Sequence, residues 1–138
     1  MLGQGKTPQQ IAGVAEKLVA RSGKLLVTRI DWPAFEVLKE SVPDAVYHEV
    51  ARAATVDRRP RPGMAGVMVL CAGTADLPVA EEAAVTAELM GHSIERVYDV
   101  GVAGIHRLFD HIERLRSANA LVVVAGMEGA LPGVVAGL

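Results

Sequence analysis

The chain has 138 residues, 51% of them hydrophobic and 22% charged, with a formal net charge of −2 at pH 7. That composition belongs to a folded chain and offers no electrostatic case for nucleic acid or an anionic membrane as partner. The single cysteine excludes an internal disulfide and a cysteine-built zinc site, so a reducing, cytoplasmic location is the expectation.

Met1 is not followed by the basic segment and apolar core of a signal peptide. The first helical pattern is TPQQIAGVAEKLVARSG, 7–23. Thr7 can cap it, Pro8 suits its first turn and Gln10 completes a capping box. Ile11, Val14, Ala15, Leu18 and Val19 share one face, and Gly23 is a stop signal. KLLVTR, 24–29, reads as a strand. DWPAFEVLKESVPD reads as a short helix capped by Asp31 and ended before Pro43, with Trp32, Phe35 and Leu38 packing on this lobe. AVYHEVARAATV, 45–56, fits extended or helical structure equally. GQGKT, 3–7, looks like the end of a phosphate-binding P-loop but lacks the upstream strand and the full glycine spacing. His48, Glu49 and His106 show no metal-ligand spacing. DRRPRPG, 57–63, is charged and proline-rich, the best linker in the chain. It divides an N-terminal α+β lobe with its linker, 1–62, from an α/β domain, 63–138.

Beyond the linker the pattern alternates. GVMVLCA, 66–72, is an apolar strand, followed by the turn GTAD and the helical LPVAEEAAVTAELMG. SIERVYDV, 93–100, is a strand, followed by GVAG and the helical IHRLFDHIERLRS, with an apolar stripe of Ile105, Leu108, Phe109, Ile112 and Leu115. ALVVVA, 120–125, is a strand, followed by GMEG and ALPGVVAGL. Strand, turn and helix recurring in this order call for a parallel sheet with helices on its faces. The first and third of these strands are apolar throughout, as strands buried on both faces should be. The apolar run 118–127, interrupted by Asn119, is about half of the roughly 20 residues that span a bilayer.

In such a sheet the strand-to-helix turns gather at the carboxyl ends of the strands, where ligands bind. In the first turn Gly73 allows close backbone approach, Thr74 offers a hydroxyl, and Asp76 either caps the helix or reaches a ribose hydroxyl. In the second, DVGVAGIHR, Asp99, Gly101 and Gly104 precede His106 and Arg107. Cations at a helix start oppose its dipole, a conflict that a bound anion would remove; the other reading is a solvated surface pair. In the third, Gly126 and Gly129 flank Met127 and Glu128. Glu128 is a catalytic acid or base if burial raises its proton affinity, and otherwise a solvated turn carboxylate. Cys71, ending an apolar strand near the crevice, reads as buried and inert.

AGTADLPVAEEAAVTAELMG, YDVGVAGIHRL and VVVAGMEGALPGVVAGL resemble the catalytic half of pyridinium-3,5-biscarboxylic acid mononucleotide synthase, which begins synthesis of the nickel-pincer nucleotide of lactate racemase. GKTPQQI and PDAVYHEVAR resemble that family's N-terminal lobe. A more distant resemblance is to the aminoimidazole ribonucleotide carboxylase/mutase of purine synthesis. The resemblance implies an incomplete, flavodoxin-like doubly wound parallel sheet over 63–138. It implies carboxylation of the pyridinium ring of nicotinic acid adenine dinucleotide by carbon dioxide or bicarbonate, with phosphoanhydride hydrolysis releasing AMP. It implies a homo-oligomer and no tightly bound cofactor, with magnesium a chemically admissible companion of the phosphoanhydride. Carried over by position, Gly73, Thr74 and Asp76 match the phosphate–ribose turn, His106 and Arg107 the anion-binding pair, and Glu128 the catalytic turn carboxylate. Asp99, Gly101, Gly104, Gly126 and Gly129 complete the expected binding turns. Ala75 stands where the family usually has serine. The family's ring-attacking cysteine and further strands match nothing before Leu138, and the family has a short stretch before GQGKT that this sequence lacks, so truncation at both ends and impaired turnover are expected. The alternatives are a non-catalytic nucleotide-binding module and the aminoimidazole ribonucleotide carboxylase/mutase.

Overall fold

The capping box at Thr7 is formed in the computed structural model, which describes residues 1–138. Thr7 Oγ1 accepts from the Gln10 N–H at 3.2 Å and Gln10 Oε1 accepts from the Thr7 N–H at 2.9 Å. These bonds satisfy helix-start donors that would otherwise be orphaned. They open α1, Pro8–Ser22, which ends on Gly23 in the left-handed region. β1, Lys24–Thr28, follows, then α2, Trp32–Ser41, capped by Asp31 Oδ1 accepting from the Ala34 N–H at 3.0 Å. The ambiguous 45–56 stretch is extended: β2, Val46–His48, turns into β3, Ala53–Asp57. The sheet order is β1-β3-β2, antiparallel throughout. Ala54 and Val56 of β3 enter a core with Ile11, Ala15 and Val19 of α1 and Phe35 and Leu38 of α2. The Phe35 and Tyr47 rings stack at 4.9 Å between centroids. One expectation shifts. Val14 and Leu18 are 41% and 39% exposed, and the buried stripe of α1 runs instead through Ile11, Ala12, Ala15 and Val19.

The chain divides into two compact units, Met1–Arg61 and Pro62–Leu138. The second unit holds β4, Met64–Cys71, α3, Leu77–Leu89, and β5, His92–Val97. α4, Ile105–Phe109, α5, Ile112–Ser117, β6, Ala120–Val124, and α6, Ala130–Ala136, complete it. Its sheet is parallel, in the order β5-β4-β6. The two-residue period of a strand distributes β4 between both faces. Met68 and Leu70 pack with Val97, Leu108, Leu115 and Leu131, and Val69 and Cys71 pack with Ala80 and Ala84 of α3. Helices cover both faces, the arrangement of a partial flavodoxin-like fold.

Two expectations are corrected in this unit. β6 is not buried on both faces: it is an edge strand, with Leu121 and Val122 exposed. The single helix expected over 105–117 is broken. His111, at φ −110° and ψ 7°, leaves the helical region, and Asp110 and His111 are both weak helix formers. Leu108 and Leu115 keep their core positions on either side of the break, while Phe109 is exposed. No helix is long and apolar enough to cross a membrane.

Candidate functional site

All three strand-to-helix turns of the second unit open into one cavity of about 540 Å³ at the carboxyl ends of β4, β5 and β6. That volume is in the range of small-molecule sites. The first turn contributes Gly73, Thr74 and Asp76, the second Gly101, and the third Gly126 and Glu128. Between them lies an apolar floor of Ala72, Val102, Ala103, Ala125 and Leu131. Asp76 and Glu128 are the only ionisable side chains on the wall.

Asp76 ties the site together. It begins α3 but makes no side-chain capping bond there. Its Oδ2 accepts from the Gly73 N–H at 2.9 Å, and its Oδ1 accepts from the Gly126 N–H at 2.8 Å. One carboxylate therefore braces the first turn and clamps the third to it. A carboxylate has about four lone-pair positions, so each oxygen can still accept from a ligand hydroxyl.

The second turn is held by packing. The Gly101 N–H donates to the Ala72 carbonyl at 2.9 Å, and a Cβ on Gly101 would stand 2.8 Å from that oxygen. Asp99, in the left-handed region at φ 60°, accepts from Arg107 Nη1 at 2.7 Å. The Arg107 guanidinium lies over Gly104, where an added Cβ would meet it at 2.8 Å. Its Nε is buried without a hydrogen-bond partner. Asp99, Gly104, His106, Arg107 and Gly129 do not line the cavity. His106 is exposed on α4. α4 has only five residues, so the dipole conflict that singled out His106 and Arg107 in the sequence is negligible. Gly129 serves the third turn through its left-handed φ of 63° at the start of α6.

Glu128 is exposed at the rim. Its neighbour Met127 is 102% exposed and left-handed, at φ 52°. Val102, Ala103 and Met127 also line the wall; their signal in the sequence is their place between the glycines. Cys71 is fully buried, and its Sγ donates to the Gly73 carbonyl at 3.5 Å. Burial pushes its thiol up, and the Asp76, Asp99 and Glu81 carboxylates add to this, against an opposing backbone hydrogen bond at Asp99. It is held as a thiol beneath the first turn.

Comparison with known proteins adds two findings. Residues 1–74 match the family model for the LarB/PurE-like N-terminal domain, a span that runs through the first unit and β4 into the first turn of the cavity. The chain is also similar to the uncharacterized protein MJ0165 of Methanocaldococcus jannaschii, at 38% identity over 149 aligned positions. That alignment takes in 99% of this chain and 57% of the relative, so the chain spans little more than half the relative's length.

Proposed function

Because the chain belongs to the LarB/PurE-like N-terminal domain family, we propose that it acts in carboxylation of the pyridinium ring of nicotinic acid adenine dinucleotide, with phosphoanhydride hydrolysis releasing AMP. The supporting observation is the cavity wall: an apolar floor, two carboxylates and no basic side chain. The positive ring nitrogen of the nicotinate gains from the carboxylates and the flat ring from the apolar floor, with the ring's own carboxylate directed away from Asp76 and Glu128. The uncharged aminoimidazole ring of the mutase reaction would gain nothing from the carboxylates.

In this reading the ring lies on the floor between Val102 and Ala125. The phosphate reaches the Thr74 hydroxyl in the turn that precedes α3, where Gly73 leaves the backbone open to close approach. Arg107, with its unpaired Nε over Gly104, backs the second turn. Magnesium, if it accompanies the substrate, would be held by the phosphate oxygens, since no group of three metal-ligating side chains is present. A pyridinium ring is too electron-poor to attack carbon dioxide. A nucleophile first adds to a ring carbon, which leaves an enamine-like carbon able to form the new C–C bond. A base then removes the proton from that carbon, and departure of the nucleophile restores the aromatic cation. Glu128 is the base. A thiolate is the natural nucleophile, since it both adds and leaves readily. Cys71 is unsuited to that role: it is buried, hydrogen-bonded and held protonated. In this reading the nucleophile's role is unfilled by Cys71, and binding without turnover is the expected behaviour of the chain.

Calorimetric titration tests this. Nicotinic acid adenine dinucleotide is expected to bind, and Glu128→Gln to weaken it by up to about fivefold, the size of an exposed charge contact. With bicarbonate added, no AMP is expected. Preference for aminoimidazole ribonucleotide, or no binding of the dinucleotide, overturns the substrate. AMP release that vanishes in Glu128→Gln overturns the binding-only expectation.

A further inference from the structure

GQGKT takes no part in the cavity of the second unit; it lies on a pocket of the first. Gly3 to Lys6 form a four-residue turn, closed by the Lys6 N–H donating to the Gly3 carbonyl at 3.1 Å. Gly5 holds φ +83° at the position where a type II turn calls for glycine. The Gly3 N–H donates to the Thr28 carbonyl at 2.8 Å, and a Cβ on Gly3 would crowd the Thr28 and Arg29 carbonyls at 3.1 and 3.2 Å. The turn is thereby pinned to the end of β1. The Thr7 hydroxyl caps α1, so it is not the phosphate ligand it would be in a P-loop.

The same pocket, about 200 Å³, is lined by Lys6, Arg29 and Arg52. The register of β1 on β3 ends at Thr28 opposite Ala53, which sets Arg29 and Arg52 against each other one step further out. The Ile30 N–H donates to the Arg52 carbonyl at 2.9 Å and keeps the two ends together. Like charges opposed across strands are destabilising. Both arginines also hold left-handed backbone, at φ 52° and 47°, which is uncommon for residues with a side chain. Lys6, Arg29 and Arg52 form no ion pair. Lys6 Nζ donates to the Leu2 carbonyl at 2.8 Å and Arg29 Nη1 to Gln4 Oε1 at 3.2 Å. The acid on the wall, Asp31, has its Oδ1 engaged at the start of α2. Three exposed cations on one small pocket, two of them on strained backbone, face a single carboxylate, Asp31, and leave a net positive site that an anion would relieve.

We propose that this pocket binds a phosphate group, held by Lys6, Arg29 and Arg52 beside the Gly3–Lys6 turn. Guanidinium and ammonium donors here offer the charge-assisted hydrogen bonds that phosphate oxygens accept. The proposal is independent of the substrate assigned to the second unit, since every residue it uses lies in the first.

The test is a titration of the full chain with inorganic phosphate at constant ionic strength, followed in amide proton–nitrogen spectra. Saturable shifts are expected at Gly3, Gly5, Lys6, Arg29 and Arg52. Arg29→Gly and Arg52→Gly should each weaken binding tenfold or more. Their melting temperatures in phosphate-free buffer should hold or rise, because glycine accepts the left-handed backbone freely. Lys6→Gln, which touches no strained position, should also weaken binding. Adenosine monophosphate in place of phosphate separates the two sources of the group: an ester binds at least as tightly if the ligand is a nucleotide or sugar phosphate, and is excluded if it is the free ion. Absence of saturable shifts, or equal shifts in all three variants, overturns the proposal.

Discussion

The Asp76 carboxylate engages two backbone amides that lie in different turns, one of them 50 positions away. Replacement by alanine leaves both amides without their anionic acceptor. Asp76→Ala is expected to cost about 1.5–3 kcal/mol, the range for hydrogen bonds to charged groups, in urea unfolding. Faster hydrogen exchange at the Gly126 amide would show that the third turn is released, and unchanged exchange there would sink the clamp. The sequence placed Asp76 beside the ligand but offered a helix cap or a ribose contact for it, because the Gly126 partner comes from a turn remote in the chain. The pairing of Arg107 with Asp99 was not legible for a similar reason: it depends on a left-handed backbone at Asp99 that no motif announces. Cys71 was read correctly as buried, since its place in an unbroken apolar strand already implied it.

At the scale of elements, what is local was legible. The Thr7–Gln10 box and the Asp31 cap span three residues each, and both are formed where the pattern placed them. What depends on distant neighbours was not. The 45–56 stretch is extended because β3 finds β1 and β2 as partners, which periodicity within the stretch cannot reveal. The break after Phe109 was hidden by the apolar stripe, because Leu108 and Leu115, seven apart, would share a face of an unbroken helix equally well. Turn two offers a test of how closely its backbone fits. Gly101→Ala puts a Cβ 2.8 Å from the Ala72 carbonyl oxygen, and is expected to lower stability by about 1–3 kcal/mol through crowding. Gly133→Ala, inside α6 with nothing within 4 Å of its added Cβ, should raise stability by about 0.5–1 kcal/mol. Thermal unfolding of the two variants side by side checks both signs.

At the scale of the whole chain, the alternation of strand, glycine turn and helix was enough to read the parallel sheet, because only a sheet flanked by helices buries such a pattern. Burial at the sheet's margin was not readable, since an apolar strand looks the same in the middle and at the side. β6 is the strand at that margin. It has β4 on one side only, and Leu121 and Val122 are 36% and 37% exposed. An open row of N–H and C=O groups flanked by aliphatic side chains is a template for any strand that drifts against it. Light scattering from the purified chain should therefore climb steeply with concentration, and Val122→Lys should suppress the rise without lowering the melting temperature. Solubility rather than folding would then set the ceiling on how concentrated a sample can be made.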